Sequence, residues 1–289
     1  MKHISDYLAL VRFSHSIFAL PFALQGAWMA SGGVPPLSKL GWIVVCAVAA
    51  RTAAMGFNRL VDRRLDARNP RTAGRELPAG KISPRGVGLL VAIACAAFVA
   101  AAFALNPLCG TLSFPVLFVL LGYSLVKRFS AAAHAVLGLS LALAPLGAWL
   151  AVRGALAGDL VAVLWLAGGV LLWVAGFDLI YACQDVEFDR AARLHSVPAR
   201  FGPALALRLS SALHVLALSC FAMQGLAAGL GWIFWMGVVA AAALLVWEHG
   251  LVAPDDLSRV DAAFFTANGW VGVGLFLGLA LDLGLGGGV

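Results

Sequence analysis

The sequence predicts an all-α, polytopic membrane protein with nine transmembrane helices, folded as one domain over residues 1–289. Three observations lead there. The chain is 62% hydrophobic and only 12% charged, against about 25% charged in a soluble domain, and its mean hydropathy is +0.94. A chain this apolar has too little polar surface to face water, so the bilayer is its solvent. Apolar runs near the length of a membrane span recur from end to end. The basic residues gather on alternate connections between those runs.

The first run, near 7–31, carries Arg12 and His15 and lacks a small-residue cleavage site, so it is expected to remain as a helix. The second lies near 38–58. The third and fourth, near 84–105 and 109–126, are parted only by the turn signal Asn106–Pro107. The fifth and sixth lie near 132–152 and 159–182. The seventh and eighth, near 205–227 and 230–248, are joined by a short stretch holding Gly229 and Gly231, and the ninth lies near 262–284. Trp232, Trp235 and Trp247 suit an interfacial aromatic belt. The glycine-rich end from Gly284 to Gly288 follows no strand and is expected to be a loose tail rather than a phosphate loop. The five cysteines (46, 95, 109, 183 and 220) form no CxxC, lie mostly in apolar runs, and read as small buried hydrophobes.

With the N-terminus inside, every Lys and Arg except Lys39 and Arg153 falls on the inner side, as the positive-inside rule requires of a cytoplasmic N-terminus. The net charge of +6 is thus a topology signal, and it argues against nucleic-acid binding because the charges flank membrane spans. The two longest polar segments, 59–83 and 185–204, are both inner and both follow a helix directly, so chemistry is expected in these loops.

In the first segment Asn58, Asp62 and Asp66 are spaced i, i+4, i+8. A continued helix aims all three in one direction, and hard oxygen ligands on one face suit Mg²⁺, which takes one or two carboxylates together with substrate phosphate. Arg68, Arg71 and Arg75 follow, and guanidinium forks match phosphate oxygens. The plainer account is a solvated helix end with its acids paired to arginines. In the second segment Asp178, Tyr181, Asp185 and Asp189 are spaced i, i+3, i+7, i+11, again one stripe. Asp178 lies inside the apolar run, where a carboxylate costs roughly 2.5–3.5 kcal/mol and usually faces a cavity or a partner. Asp185 and Asp189 follow Asp62 and Asp66 by the same interval of 123 residues, which reads as a repeated helix group. Two facing carboxylate pairs repel unless cations lie between them.

These residues resemble the UbiA superfamily of membrane prenyltransferases. The first motif is similar to its NxxxDxxxD, here Asn58, Asp62 and Asp66; the second to its DxxxD, here Asp185 and Asp189, with Asp178, Tyr181 and Gln184 ahead of it. Arg71-Thr72 through Arg75-Glu76-Leu77-Pro78-Ala79-Gly80 is similar to a segment in which proline is frequent at the position of Glu76. Lys127-Arg128, between Tyr123 and Leu137-Gly138, resembles the family's middle segment. The run from Arg12 to Phe22 looks like the bacterial branch acting on 4-hydroxybenzoate, or its relative acting on a dihydroxynaphthoate in the futalosine menaquinone route.

The resemblance implies a UbiA-type helical bundle in a bacterial inner membrane that transfers a polyprenyl group from its diphosphate to a hydroxylated aromatic acid, with no obligate protein partner. It implies Mg²⁺ held by Asn58, Asp62, Asp66, Asp185 and Asp189, diphosphate binding by Arg71, Arg75, Lys127 and Arg128 with Gln184 nearby, and Asp178 and Tyr181 beside the reacting atoms. Arg12 is expected either to meet the aromatic carboxylate or to anchor the helix at the interface; for His15 a polar helix contact is expected. A cation-coupled transporter is the rival of another class, and it requires acids near the bilayer midplane rather than at helix ends.

Overall fold

The computed structural model describes residues 6–7, 9–11, 18–156, 158 and 160–286. Arg12 and His15 lie outside these, and with them both expectations attached to the first run. Among the described residues the chain is helical, with a lone bridge between Ala253 and Asp256. The helices are α1 (Leu20–Ser31), α2 (Leu37–Asp66), α3 (Pro84–Leu105), α4 (Pro107–Val126), α5 (Ala133–Arg153), α6 (Val161–Ala182), α7 (Val186–Ala191), α8 (Val197–Phe201), α9 (Pro203–Ala227), α10 (Trp232–Gly250) and α11 (Asn268–Gly284). A 3-10 turn, Cys183–Asp185, joins α6 to α7, and a π-helical turn, Ala262–Ala267, leads into α11.

Eight described helices are long and apolar enough to cross a membrane; of the first expected span, near 7–31, α1 accounts for 12 residues, Leu20–Ser31, which is not itself long enough to cross. The chain is a multi-pass membrane protein. Boundaries move where capping decides them. Pro107 sits in the first turn of α4, where its missing N–H costs nothing, and the Asn106 side chain accepts the Cys109 N–H at 2.8 Å. The fourth span therefore begins two residues before the expected 109. The second span does not stop at 58; α2 runs unbroken for 30 residues to Asp66, so the first motif lies wholly within a helix.

Neighbours in sequence pack as neighbours in space, and α11 returns against α1 to close the bundle. The most enclosed span is α6, flanked by α5 and α9. Small residues permit this. A Cβ at Gly138 of α5 would lie 2.3 Å from the Leu171 carbonyl oxygen, and one at Gly26 of α1 would lie 2.2 Å from that of Pro145. Neither contact is possible, so glycine sets both helix separations. Phe22, Trp173, Phe177, Phe221 and Phe234 form the main core. Outward, Phe118, Trp232 and Val246 stand 69–80% exposed, a lipid-facing surface in a protein of this composition. Trp235 departs from the expected belt: it packs against the core, edge-on to Phe234.

One polar network lies inside the apolar bundle. The Trp173 indole N–H donates to Asn268 Oδ1 at 2.6 Å, and Asn268 Nδ2 donates to Glu248 Oε1 at 2.7 Å. His214 Nδ1 lies 3.8 Å from Glu248 Oε2 and 2.9 Å from His249 Nε2. It ties α6, α9, α10 and α11 together through hydrogen bonds made where no water competes.

Candidate active site

The last turns of α2 and the end of α6 converge on one side of the bundle. Between them lies a cavity of about 290 Å³. Its polar end is lined by Asn58, Asp62, Asp66, Asp185 and Asp189, and its apolar end by Phe18, Leu141, Val174, Phe177 and Phe264. Asp178 and Tyr181 line the zone between.

The loop after α2 closes over the polar end. Its turn is built by Asn69, whose carbonyl accepts the N–H groups of Thr72 and Ala73 at 2.9 Å, and by Thr72, whose hydroxyl donates to the Asp66 carbonyl at 3.0 Å. Leu77 and Ile82 are buried beside Leu10, Val87 and Val91 and hold the far end down. This turn delivers Arg71 to the opposite cluster: its Nε donates to Asp185 Oδ1 at 3.0 Å, Nη2 meets Asp185 Oδ2, and Nη1 donates to the Tyr181 hydroxyl at 2.9 Å. The guanidinium carbon also sits 5.1 Å from the centre of the Tyr181 ring. Burial would lower the Arg71 pKa, but the bonds to Asp185 and Tyr181 outweigh it and hold it above its ordinary value. Arg71 is a permanent cation.

The other acids are met in the same way. Asp62 is 2.8 Å from Lys127 Nζ and 3.1 Å from Arg128 Nη2, and accepts from Asn58 Nδ2 at 3.2 Å. Asp66 is 2.8 Å from Arg75 Nη1 and 3.8 Å from Arg59 Nη1. Asp189 accepts from the Ser196 hydroxyl at 2.8 Å. Asp178 lies 2.7 Å from His134 Nδ1. The second stripe reaches the cavity although the helix breaks into the 3-10 turn before Asp185.

Two expectations change. Gln184 does not line the cavity, and its amide turns back to the Tyr181 carbonyl at 3.4 Å; six residues on from Asp178, it lies off the stripe that faces the cavity. Arg128 is not a cavity wall either; it clamps Asp62 and the Val61 carbonyl from behind. Among the described residues no three His, Cys, Asp or Glu stand together as a ready cation cage; arginines and Lys127 separate the carboxylates instead. Sequence reasoning missed Arg59, Asn69 and His134. Arg59 had a signal, its i, i+7 spacing to Asp66; Asn69 and His134 act through tertiary folding.

Residues 19–270 match the UbiA prenyltransferase family. The chain belongs to that family. It is a membrane-embedded prenyltransferase of nearly full family length. It is 32% identical to a 4-hydroxybenzoate octaprenyltransferase of Aeromonas hydrophila over 96% of each chain, and 32% identical to one of Pseudomonas aeruginosa over 97% of this chain and 94% of the other. Among solved structures, the apo structure of a UbiA homolog from Aeropyrum pernix K1 superposes with a TM-score of 0.84 at 35% identity, covering 93% of this chain and 98% of that one. A UbiA homolog from Archaeoglobus fulgidus bound to GPP and Mg²⁺ shares the fold at 20% identity, with a TM-score of 0.73 over 96% of this chain and 99% of the other.

Proposed function

We propose that this chain transfers a polyprenyl group from polyprenyl diphosphate to a hydroxylated aromatic acid, 4-hydroxybenzoate being the acceptor that its relatives' names support, as a step in quinone biosynthesis. The observation that carries the reading is the two-ended cavity: carboxylates and fixed cations at one end, aromatic rings at the other. Its acids lie at helix ends, which speaks against the transporter.

The donor set fits Mg²⁺. All five candidate ligands offer hard oxygens, and Asp66 Oδ2 is buried with no hydrogen-bond donor in reach, its charge met only at 3.8 Å by Arg59 Nη1. Each cluster offers one or two carboxylates, as Mg²⁺ requires when substrate phosphate completes its shell. Asn58, Asp62, Asp66, Asp185 and Asp189 would hold Mg²⁺, which would supply Lewis-acid neutralisation of the leaving diphosphate. Arg71, Arg75 and Lys127 supply fixed positive charge where the departing diphosphate gains negative charge. Phe177, Tyr181 and Phe264 offer ring faces to the allylic cation, and the apolar walls exclude the water that would hydrolyse it. Asp178 is the base nearest the aromatic end. The long isoprenoid tail lies among the helices or in lipid. Both loops share one side of the bundle, and their basic residues support a cytoplasmic placement of that side in a bacterial inner membrane.

The test is transfer of labelled prenyl groups by membranes containing the protein, with 4-hydroxybenzoate and 1,4-dihydroxy-6-naphthoate run side by side. Transfer to one acid is expected. Transfer to neither, or transfer that survives both EDTA and Asp185→Ala, sinks the reading.

A further inference from the structure

His134 is the second residue of α5 and is buried. Its ring bridges two elements. Nδ1 lies 2.7 Å from Asp178 Oδ2, and Nε2 lies 3.4 Å from the backbone nitrogen of Val197. A backbone N–H can only donate, so Nε2 presents its lone pair and Nδ1 carries the proton. His134 is thus a donor aimed at one carboxylate oxygen, Oδ2, and the other oxygen of Asp178 is left for the cavity that this residue lines.

The strap that supplies Val197 is fastened to the diphosphate end too. The His195 N–H donates to the Lys127 carbonyl at 2.7 Å, and the Ser196 hydroxyl donates to Asp189 at 2.8 Å. Three consecutive residues thus touch Lys127, Asp189 and, through His134, Asp178. One short segment sets the spacing between the groups of the leaving diphosphate and the base at the aromatic end.

We infer that His134 is the positioning residue for Asp178: it holds the carboxylate so that its free oxygen takes the proton that the acceptor ring must lose, in register with the diphosphate half of the site. The inference rests on the aromatic-prenylation reading. As the C–O bond to diphosphate breaks, its electron pair leaves with the diphosphate oxygen, and a ring carbon ortho to the hydroxyl bonds to the prenyl carbon. That ring carbon then holds both the prenyl group and a hydrogen. Its C–H pair returns to the ring and the proton passes to Asp178, which restores aromaticity. His134 donates one hydrogen bond throughout and exchanges no proton. Glutamine is the informative substitute, because its amide can donate to Asp178 and accept from Val197 at once, whereas alanine does neither.

The experiment measures prenyl transfer by wild type, His134→Ala and His134→Gln, using acceptor with hydrogen or deuterium at the ring positions ortho to the hydroxyl. His134→Ala is expected to lose roughly ten- to hundred-fold in kcat, the scale of a misplaced catalytic group, with KM for the prenyl diphosphate unchanged. A primary deuterium effect larger than that of wild type should accompany the loss, because proton removal has become slow. His134→Gln should recover most of the rate and the wild-type isotope effect. Three results overturn the inference: alanine at the wild-type rate, a slowed alanine variant with an unchanged isotope effect, or glutamine no better than alanine. If the alanine variant fails to accumulate in the membrane, His134→Gln alone decides: a slowed glutamine variant with wild-type isotope effect overturns the inference, and near-wild-type rate and isotope effect support it. Wild type that prenylates neither acid refutes the functional reading instead, so the two failures are distinct.

Discussion

Asp62 and Asp66 project from an unbroken helix, whereas Asp185 closes a 3-10 turn and Asp189 sits on the six-residue helix that follows. Asp62 is 3% exposed at its side chain and Asp185 18%. The cations of the first cluster come from its own helix, its own loop and the end of α4. Asp185 instead takes its arginine from the loop of the first cluster, 114 residues away in sequence. The spacing of the acids is the same in both halves, but the first half is built in place and the second is completed by the first. Repeating a motif does not repeat its mechanical setting.

Removing the metal should give the largest effect, because both halves are proposed to hold it. EDTA is expected to lower transfer by about 10³-fold or more, on the scale of several kcal/mol of Lewis-acid stabilisation, with recovery on adding Mg²⁺. Asp62→Ala comes next. It leaves Lys127 and Arg128 without their shared carboxylate, so we expect a loss of about 10²–10³-fold in kcat/KM and a somewhat lower yield in the membrane, the two cations being partly solvated at 35% and 39% side-chain exposure. Asp189→Ala removes a carboxylate bound only to a hydroxyl; its activity loss should approach that of Asp62→Ala while its thermal melting in detergent stays near wild type. Equal destabilisation by both would erase the contrast between the halves. Arg71→Lys keeps the charge but loses the two-pronged contact with Asp185. A loss of about 10-fold is expected, mainly in KM for the diphosphate. Phe177→Leu should be mildest, a few-fold in kcat with more hydrolysis of the prenyl donor, read as free prenyl alcohol.

Much of this arrangement was legible in the residues. The apolar runs located the spans because a helix needs about 20 apolar residues to cross a bilayer, and Asn58, Asp62 and Asp66 declared a common face because i, i+4 neighbours stack. Helix ends were less legible, since capping by Asn106 and continuation of α2 through Arg59 depend on local hydrogen bonds rather than hydropathy. The route of Arg71 was hidden, because it depends on Leu77 and Ile82 finding an apolar seat on α3. His134, Glu248 and Asn268 were also passed over. Each is a single polar residue in an apolar run, with no period and no run of charge to mark it, and its meaning lies in partners on other helices.

The network that joins Trp173, Asn268 and Glu248 has a consequence for biogenesis. Membrane spans enter the bilayer in order, and Asn268 sits on α11, after the spans that carry Trp173 and Glu248. Until α11 arrives, Glu248 lacks its amide partner and Trp173 its acceptor, each a polar group stranded in hydrocarbon. The network of a nascent chain is thus incomplete until α11 is made. A chain ending at Gly250 should be cleared by membrane proteolysis in a pulse-chase experiment, and Asn268→Leu should shorten the full-length protein's lifetime in the same assay. α11 acts as the checkpoint for the polar network that the earlier spans begin.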